Sequence, residues 1–273
     1  MNHLLVIDAH GHIHGEEYDL DREDVISRMR ESRVGCITVG TSLEDSKRAV
    51  ELASNNENIW ATIGIHPNDT EEIFDEKDFE EFVKNPKAVA IGECGLDYYR
   101  FKVDEVGFNI ENEKKRQKEN FLKQLEFAVK YDKPLMIHCR PSDKTNDAHE
   151  DMLSILNSYF LTHNSKLRGN IHFFTGSKDI AEKYFELGFT VSIPGVVTFA
   201  RDVAKVVKEL PIEKILIETD CPYATPVPFR GKRNEPIYVL ETGRKIGELK
   251  EVSLEEVTSK TLQNTKNTFT LHF

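Results

Sequence analysis

The chain has 273 residues, 39% of them hydrophobic and 30% charged, and a formal net charge of -11. That length suits a single α/β barrel with a large core, here read as one domain over residues 1–273. Its apolar runs fall far short of the ~20 residues of a membrane helix, and no basic stripe marks a nucleic-acid coat protein, so both classes are set aside. An enzyme that meets phosphates locally is still allowed, and its hold on a polyanion should be weak and salt-sensitive. No basic segment followed by an apolar stretch opens the chain, so no secretion signal is expected. The four cysteines, Cys36, Cys94, Cys139 and Cys221, form no CxxC pair. They read as reduced thiols of a cytoplasmic protein.

Strand-sized apolar runs alternate with amphipathic helix-sized runs from end to end. The strand candidates are Leu4–Ala9, Val34–Gly40, Ile59–Ile65, Ala88–Glu93, Pro134–Cys139, Gly169–Phe174, Phe189–Ile193 and Ile215–Thr219. Their nearly continuous hydrophobicity suits strands buried on both faces of a parallel sheet. Helices are readable over Asp21–Glu31, Ser42–Ala53 (from a Ser N-cap), Glu113–Tyr131, Asp147–Leu161 and Ser177–Leu187, with Gly188 as a helix stop. Eight such alternations predict a (β/α)8 TIM barrel, with its site at the C-terminal ends of the strands. Two long loops, Tyr98–Asn112 and Cys221–Pro236, should cover the mouth.

The strand ends carry the chemistry. His10 and His12 end the first run, Glu93 the fourth, His138 the fifth, His172 the sixth and Asp220 the eighth. Side chains at i and i+2 on a strand point the same way, so His10 and His12 can reach one ion. A lone histidine at a strand end is more often a hydrogen-bonded structural residue. Six such residues on five strands of one barrel read instead as a metal site. A buried Glu93 is costly unless paired or metal-bound, and between two ions it can bridge them. Histidine and carboxylate together admit Mg, Mn, Zn and others. His14 reads as loop rather than ligand. His66 reads as an orienting residue or phosphate donor, not a ligand. Arg140, Arg230 and Lys232 read as a cationic rim that grips phosphate, and Arg233 as solvated surface charge. Tyr98, Tyr99 and Tyr223 can stack on bases or simply pack the loops.

These residues resemble the TatD family of metal-dependent deoxyribonucleases, amidohydrolase-like barrel hydrolases. The markers are Asp8-Ala9-His10-Gly11-His12, Gly64-Ile65-His66-Pro67, Gly92-Glu93-Cys94-Gly95-Leu96-Asp97-Tyr98, Ile137-His138-Cys139-Arg140, His172-Phe173-Phe174-Thr175-Gly176-Ser177 and Glu218-Thr219-Asp220-Cys221-Pro222-Tyr223. The most distinctive is Pro228-Phe229-Arg230-Gly231-Lys232-Arg233-Asn234-Glu235-Pro236. The resemblance implies two divalent metal ions, one held by His10, His12, Glu93 and Asp220, the other by Glu93, His138 and His172. It further implies 3′-to-5′ exonuclease action on DNA, bound weakly and transiently, with no membrane and no obligate protein partner. The loop Phe101–Glu113 is longer and more polar than the resemblance leads one to expect, which bears on substrate choice.

The expected reaction is metal-assisted phosphodiester hydrolysis, by attack of a metal-bound hydroxide. Asp220 serves as general base, beside Glu93 as the other catalytic carboxylate. Two other readings stand beside it. The same site can serve a small-molecule ester, lactone or amide, since fold does not determine function. The barrel can also be a non-catalytic binding scaffold, although no ligand residue is missing.

Overall fold

The computed structural model describes residues 4–69, 72–101, 108–163 and 167–272. Its eight strands are β1 (Val6–Gly11), β2 (Val34–Val39), β3 (Ile59–Ile63), β4 (Ala88–Asp97), β5 (Leu135–Arg140), β6 (Gly169–Ile171), β7 (Phe189–Ile193) and β8 (Ile215–Ile217). They form one parallel sheet in sequential order. A parallel bridge between Gly11 and Cys221 brings its two ends together. The closing hydrogen bonds run from Asp220 N to His10 O (2.8 Å) and from His12 N to Cys221 O (2.7 Å). The barrel therefore closes through the backbone of three of the predicted ligands.

The helices are α1 (Arg22–Glu31), α2 (Leu43–Ser54), α3 (Glu76–Val83), α4 (Ile110–Lys130), α5 (Asp147–His163), α6 (Lys178–Glu186), α7 (Arg201–Glu209), α8 (Val239–Lys250) and α9 (Leu254–Phe269). Ser42 caps α2 by accepting from Asp45 N, as its sequence suggests. Of these, α3, α7, α8 and α9 have no counterpart among the helices read from the sequence. Residues 102–107 of the long loop after β4 lie outside the described residues. Among the described residues no helix is long and apolar enough to cross a membrane.

Two apolar clusters divide the strand residues. Cys36, Ile137, Ile215 and Ile217 join the larger cluster with the helices, whereas Ile37, Met136 and Leu216 join a smaller one. This period of two assigns the smaller cluster to the barrel interior. Ile7 and Ala9 belong to that interior set, so strict alternation would turn His10 outward. The β1–β2 register shifts between Asp8 and Gly11, and the β4–β5 register shifts between Ile91 and Cys94. Such irregularities re-aim side chains, and these two fall at His10 and Glu93. Gly92 and Gly95 flank Glu93 at positive φ, and a Cβ on either would run into the carbonyl oxygen of Met136 or His138 on β5. Glycine is the residue that fits such a close approach.

Candidate metal centre

The Glu93 carboxylate divides a buried cluster in two. Its Oε1 faces His138 Nδ1 at 2.8 Å, His172 Nε2 at 3.0 Å and His66 Nε2 at 3.3 Å. Its Oε2 faces His10 Nε2 at 3.4 Å and His12 Nε2 at 3.9 Å. Asp220 Oδ1 completes the second group, 3.5 Å from His12 Nε2 and 3.7 Å from His10 Nε2. Within each half two imidazole nitrogens approach to 3.2 Å, His10 Nε2 to His12 Nε2 and His138 Nδ1 to His172 Nε2. Two unprotonated ring nitrogens at that distance oppose lone pair to lone pair, and a cation between them turns repulsion into coordination. Donor atoms of His10, His12 and Glu93 lie within 4.8 Å of one another, as do those of His10, His172 and Asp220 and those of His66, Glu93 and His138. Imidazoles and carboxylates so gathered fit divalent cations.

Polar contacts on the far side of four of the rings, those of His12, His138, His172 and His66, favour one tautomer of each. His12 Nδ1 is 2.8 Å from Val39 O, which can only accept, so a neutral His12 turns an Nε2 lone pair inward. His138 Nε2 is 3.0 Å from Asp97 Oδ2, which leaves Nδ1 to face Glu93 as a lone pair. Glu218 Oε1 lies 3.5 Å from His172 Nδ1 and orients that ring in the same sense. His66 is the reverse case. Asn68 N donates to its Nδ1 at 3.1 Å, so the neutral ring carries its proton on Nε2 and offers Glu93 a donor. Distance alone includes His66 among the metal-competent groups. The tautomer argues against ligation.

Electrostatics follow from this crowding. Burial alone would raise the Asp97 carboxyl, but hydrogen bonding and charge from His138, with donors Arg100 N and Asn68, bring it down to about 2. Burial opposes ionisation of Glu93 too, yet the charges of His172, His66 and His10 hold it well below the usual carboxylate range. Asp220 is likewise lowered, against burial, by the His12 hydrogen bond and the neighbouring histidine charges. Burial disfavours a charged His12, but its hydrogen bond to Asp220 and the charges of Glu93, Asp220 and Asp45 outweigh this and push it up to about 9. The pocket is a concentration of negative charge that draws in protons or cations.

The structure thus brings together His10, His12, Glu93, His138, His172 and Asp220. Asp220 and Phe173, which follows His172, hold left-handed φ values of 55° and 50°. Such conformations cost energy and persist where their surroundings dictate them: Asp220 N bonds to His10 O, and Phe173 N to Glu218 Oε1 at 2.7 Å. His14 belongs to another group, with Nδ1 2.6 Å from Thr38 Oγ1 and Nε2 3.0 Å from Asp45 Oδ1. The cavity above the centre holds about 1140 Å³, and its lining includes Glu16, Glu17, Arg48, Arg100 and Arg140. Arg140 lies over the Tyr99 ring at 4.0 Å.

Two expectations need correction. Arg230 and Lys232 are not among the residues lining the cavity. Arg230 donates to Thr225 O and lies over Phe199, because the loop turns outward after Thr225. Arg233 is not a solvated charge: it forms a two-pronged pair with Asp21 (2.8 and 2.6 Å) and lies over Tyr18. Of the two readings of Tyr98, packing holds: it is buried, its hydroxyl 2.8 Å from Asp151 Oδ2. Asp97, Asn68 and Glu218 are additions. The first and last stand inside quoted motifs, and an acid two or four residues from a ligand on a buried strand was the available signal.

Comparison with known proteins agrees with this geometry. Residues 7–270 match the family described as TatD related DNase. An uncharacterized metal-dependent hydrolase of Bacillus subtilis, YabD, is 38% identical over 273 residues, covering 98% of this chain and 100% of its own. A 3′-5′ ssDNA/RNA exonuclease, TatD of Escherichia fergusonii, is 31% identical over 268 residues, covering 94% of this chain and 96% of its own. The crystal structure of YjjV, a TatD homologue from Escherichia coli, superposes with a TM-score of 0.84 at 27% identity, covering 98% of this chain and 99% of the other.

Proposed function

The chain belongs to the TatD-related DNase family and is a metal-dependent hydrolase acting on ester bonds; from that premise we propose that it shortens single-stranded DNA from the 3′ end, using two divalent cations. The observation that carries this reading is the division of the centre by Glu93, with donors facing each carboxylate oxygen. His10, His12, Asp220 and Glu93 Oε2 would hold one cation, and His138, His172 and Glu93 Oε1 the other. Bound there, the cations acidify water and neutralise charge on a phosphoryl oxygen.

The remaining steps fall to the chain. Asp220 accepts the proton of the attacking water, and its lowered pKa keeps it ionised and ready at neutral pH. Glu93 holds the two halves of the centre in register. His66 presents its Nε2 proton to a non-bridging phosphate oxygen, and Asn68 N at its Nδ1 favours the tautomer that donates. Arg140, held over Tyr99 at the cavity wall, grips a neighbouring phosphate. The four cysteines are free, which supports a reducing, cytoplasmic setting.

The test is cleavage of 3′-labelled and 5′-labelled single-stranded oligonucleotides by metal-stripped protein, with Mg, Mn or Zn restored singly. The expected result is stepwise loss from the 3′ end that needs metal and is absent in His138→Ala. Metal binding without cleavage of any oligonucleotide would overturn the DNA reading and point to a small ester or amide.

A further inference from the structure

Beside the cavity mouth stands a group of side chains that the hydrolytic reading leaves unused. We propose that an exposed ridge formed by Tyr223, Phe199, Arg230 and Lys232 carries the single strand that leads into the cavity, its bases on the aromatic faces and its phosphates on the cations. This rests on the nucleic-acid reading above.

The ridge is continuous with the site. Tyr223 lines the cavity, and its ring centroid is 6.5 Å from that of His12. Its backbone is held by Asp220 O (2.9 Å) and by the buried Asn234 side chain (2.6 Å), so this aromatic is tied directly to the centre. From there the loop passes Thr225, whose carbonyl accepts from Arg230 Nη1 at 2.9 Å and whose hydroxyl donates to Lys232 O at 2.6 Å. The short helical turn after β7 docks on the same loop through Val227 N to Thr198 Oγ1 at 3.0 Å, which sets Phe199 beside it. The Arg230 guanidinium lies 4.2 Å from the Phe199 ring centroid, and Lys232 Nζ 5.7 Å from that of Phe229.

Two features fit this surface to a polynucleotide. Phe199 and Tyr223 are 43% and 59% exposed, which leaves aromatic area open to a base. The cations are also unneutralised: among the described residues neither Arg230 nor Lys232 pairs with a carboxylate, whereas the adjacent Arg233 is locked to Asp21. In a chain of net charge -11, cations left open beside aromatic faces form the combination that takes single strands, stacking for bases and charge for backbone.

The experiment compares dodecathymidylate, dithymidylate and bis(p-nitrophenyl) phosphate as substrates of the metal-loaded full chain and of Phe199→Ala and Arg230→Gln, with circular dichroism melting as a control on folding. Phe199→Ala should raise KM about 10-fold on dodecathymidylate, leaving kcat and turnover of the two short substrates unchanged. Arg230→Gln should reduce the slope of log affinity against log salt by about 1 for the long substrate. If wild type degrades dodecathymidylate and both variants match it, or if the variants lose activity equally on all three substrates, the ridge is refuted while the nuclease reading stands. If wild type hydrolyses only bis(p-nitrophenyl) phosphate, the nuclease reading fails and the ridge with it.

Discussion

Replacing Asp97 by asparagine tests how the outer hydrogen bonds govern the centre. Asp97 is fully buried. It accepts from His138 Nε2 at 3.0 Å and Asn68 Nδ2 at 2.9 Å through one oxygen, and from Tyr99 N and Arg100 N at 3.1 and 3.0 Å through the other. Asparagine keeps one oxygen, which the two backbone N–H groups claim. Its amide NH2 then faces His138, whose ring is stable only with the proton moved to Nδ1. That proton points at Glu93 Oε1 and removes the lone pair a cation needs. The loss of an outer partner of this kind weakens metal binding about 10- to 100-fold, or roughly 1.4 to 2.7 kcal/mol. At saturating metal the stabilisation lost is of the same size, so the metal-induced rise in melting temperature should shrink by about 2–5 °C. Isothermal titration with Mn or Zn, beside melting curves with and without metal, measures both quantities. The metal-free variant should itself melt lower, because the depressed Asp97 pKa marks a stabilisation of the charged form that asparagine lacks, so the metal-induced rise is compared within each protein. Unchanged affinity at both metal equivalents would refute the assignment of His138 Nδ1 as a ligand atom and of Asp97 as its orienting partner.

Other outcomes follow from the same geometry. Asp220→Ala should abolish phosphodiester turnover in a chain that still folds, checked by single-turnover assay and circular dichroism; retained activity would remove Asp220 as the base. With a folded-state pKa of about 9 against an ordinary 6.5, His12 in the metal-free chain contributes stability that is complete below 6.5 and lost as pH rises through about 9. Metal must displace that proton, so apparent affinity should climb about tenfold per pH unit up to about 9, read by titration across that range. His66→Gln, which keeps an N–H donor, should retain metal stoichiometry and far more activity than His66→Ala, measured by metal analysis and kcat. Arg233→Ala should cost about 1 kcal/mol of stability by breaking its two-pronged pair, seen in denaturant melts, without changing metal content.

The strands and the residues that gather at their ends were legible because both are local properties of the chain. A run such as Leu135-Met136-Ile137-His138 announces a buried strand and a polar end without reference to anything else. Helix α9 shows where that legibility stops. Its buried face is largely Thr258, Thr261, Asn264, Thr265 and Thr268, which reads as polar. The threonines bury by donating to backbone carbonyls one turn back, as Thr261 does to Val257 O and Thr265 to Thr261 O, and Asn264 donates to Ile212 O and Ile215 O.

At the centre the division is finer. His10 and Glu93 could be picked from the sequence, but alternation would have turned both away from the interior; register shifts against β2 and β5 bring them in. Which nitrogen of His12, His138, His172 and His66 faces the cluster depends on Val39, Asp97, Glu218 and Asn68, all on segments remote from the ring they orient except Asn68. Likewise Arg230 and Lys232 sit in the most distinctive motif of the chain, yet the path of the loop after Thr225 leaves them off the cavity wall. Residue type and hydrophobic period are written along one dimension. Side-chain aim and protonation arise from partners that only folding brings together, and these convert six marked residues into a centre with two halves.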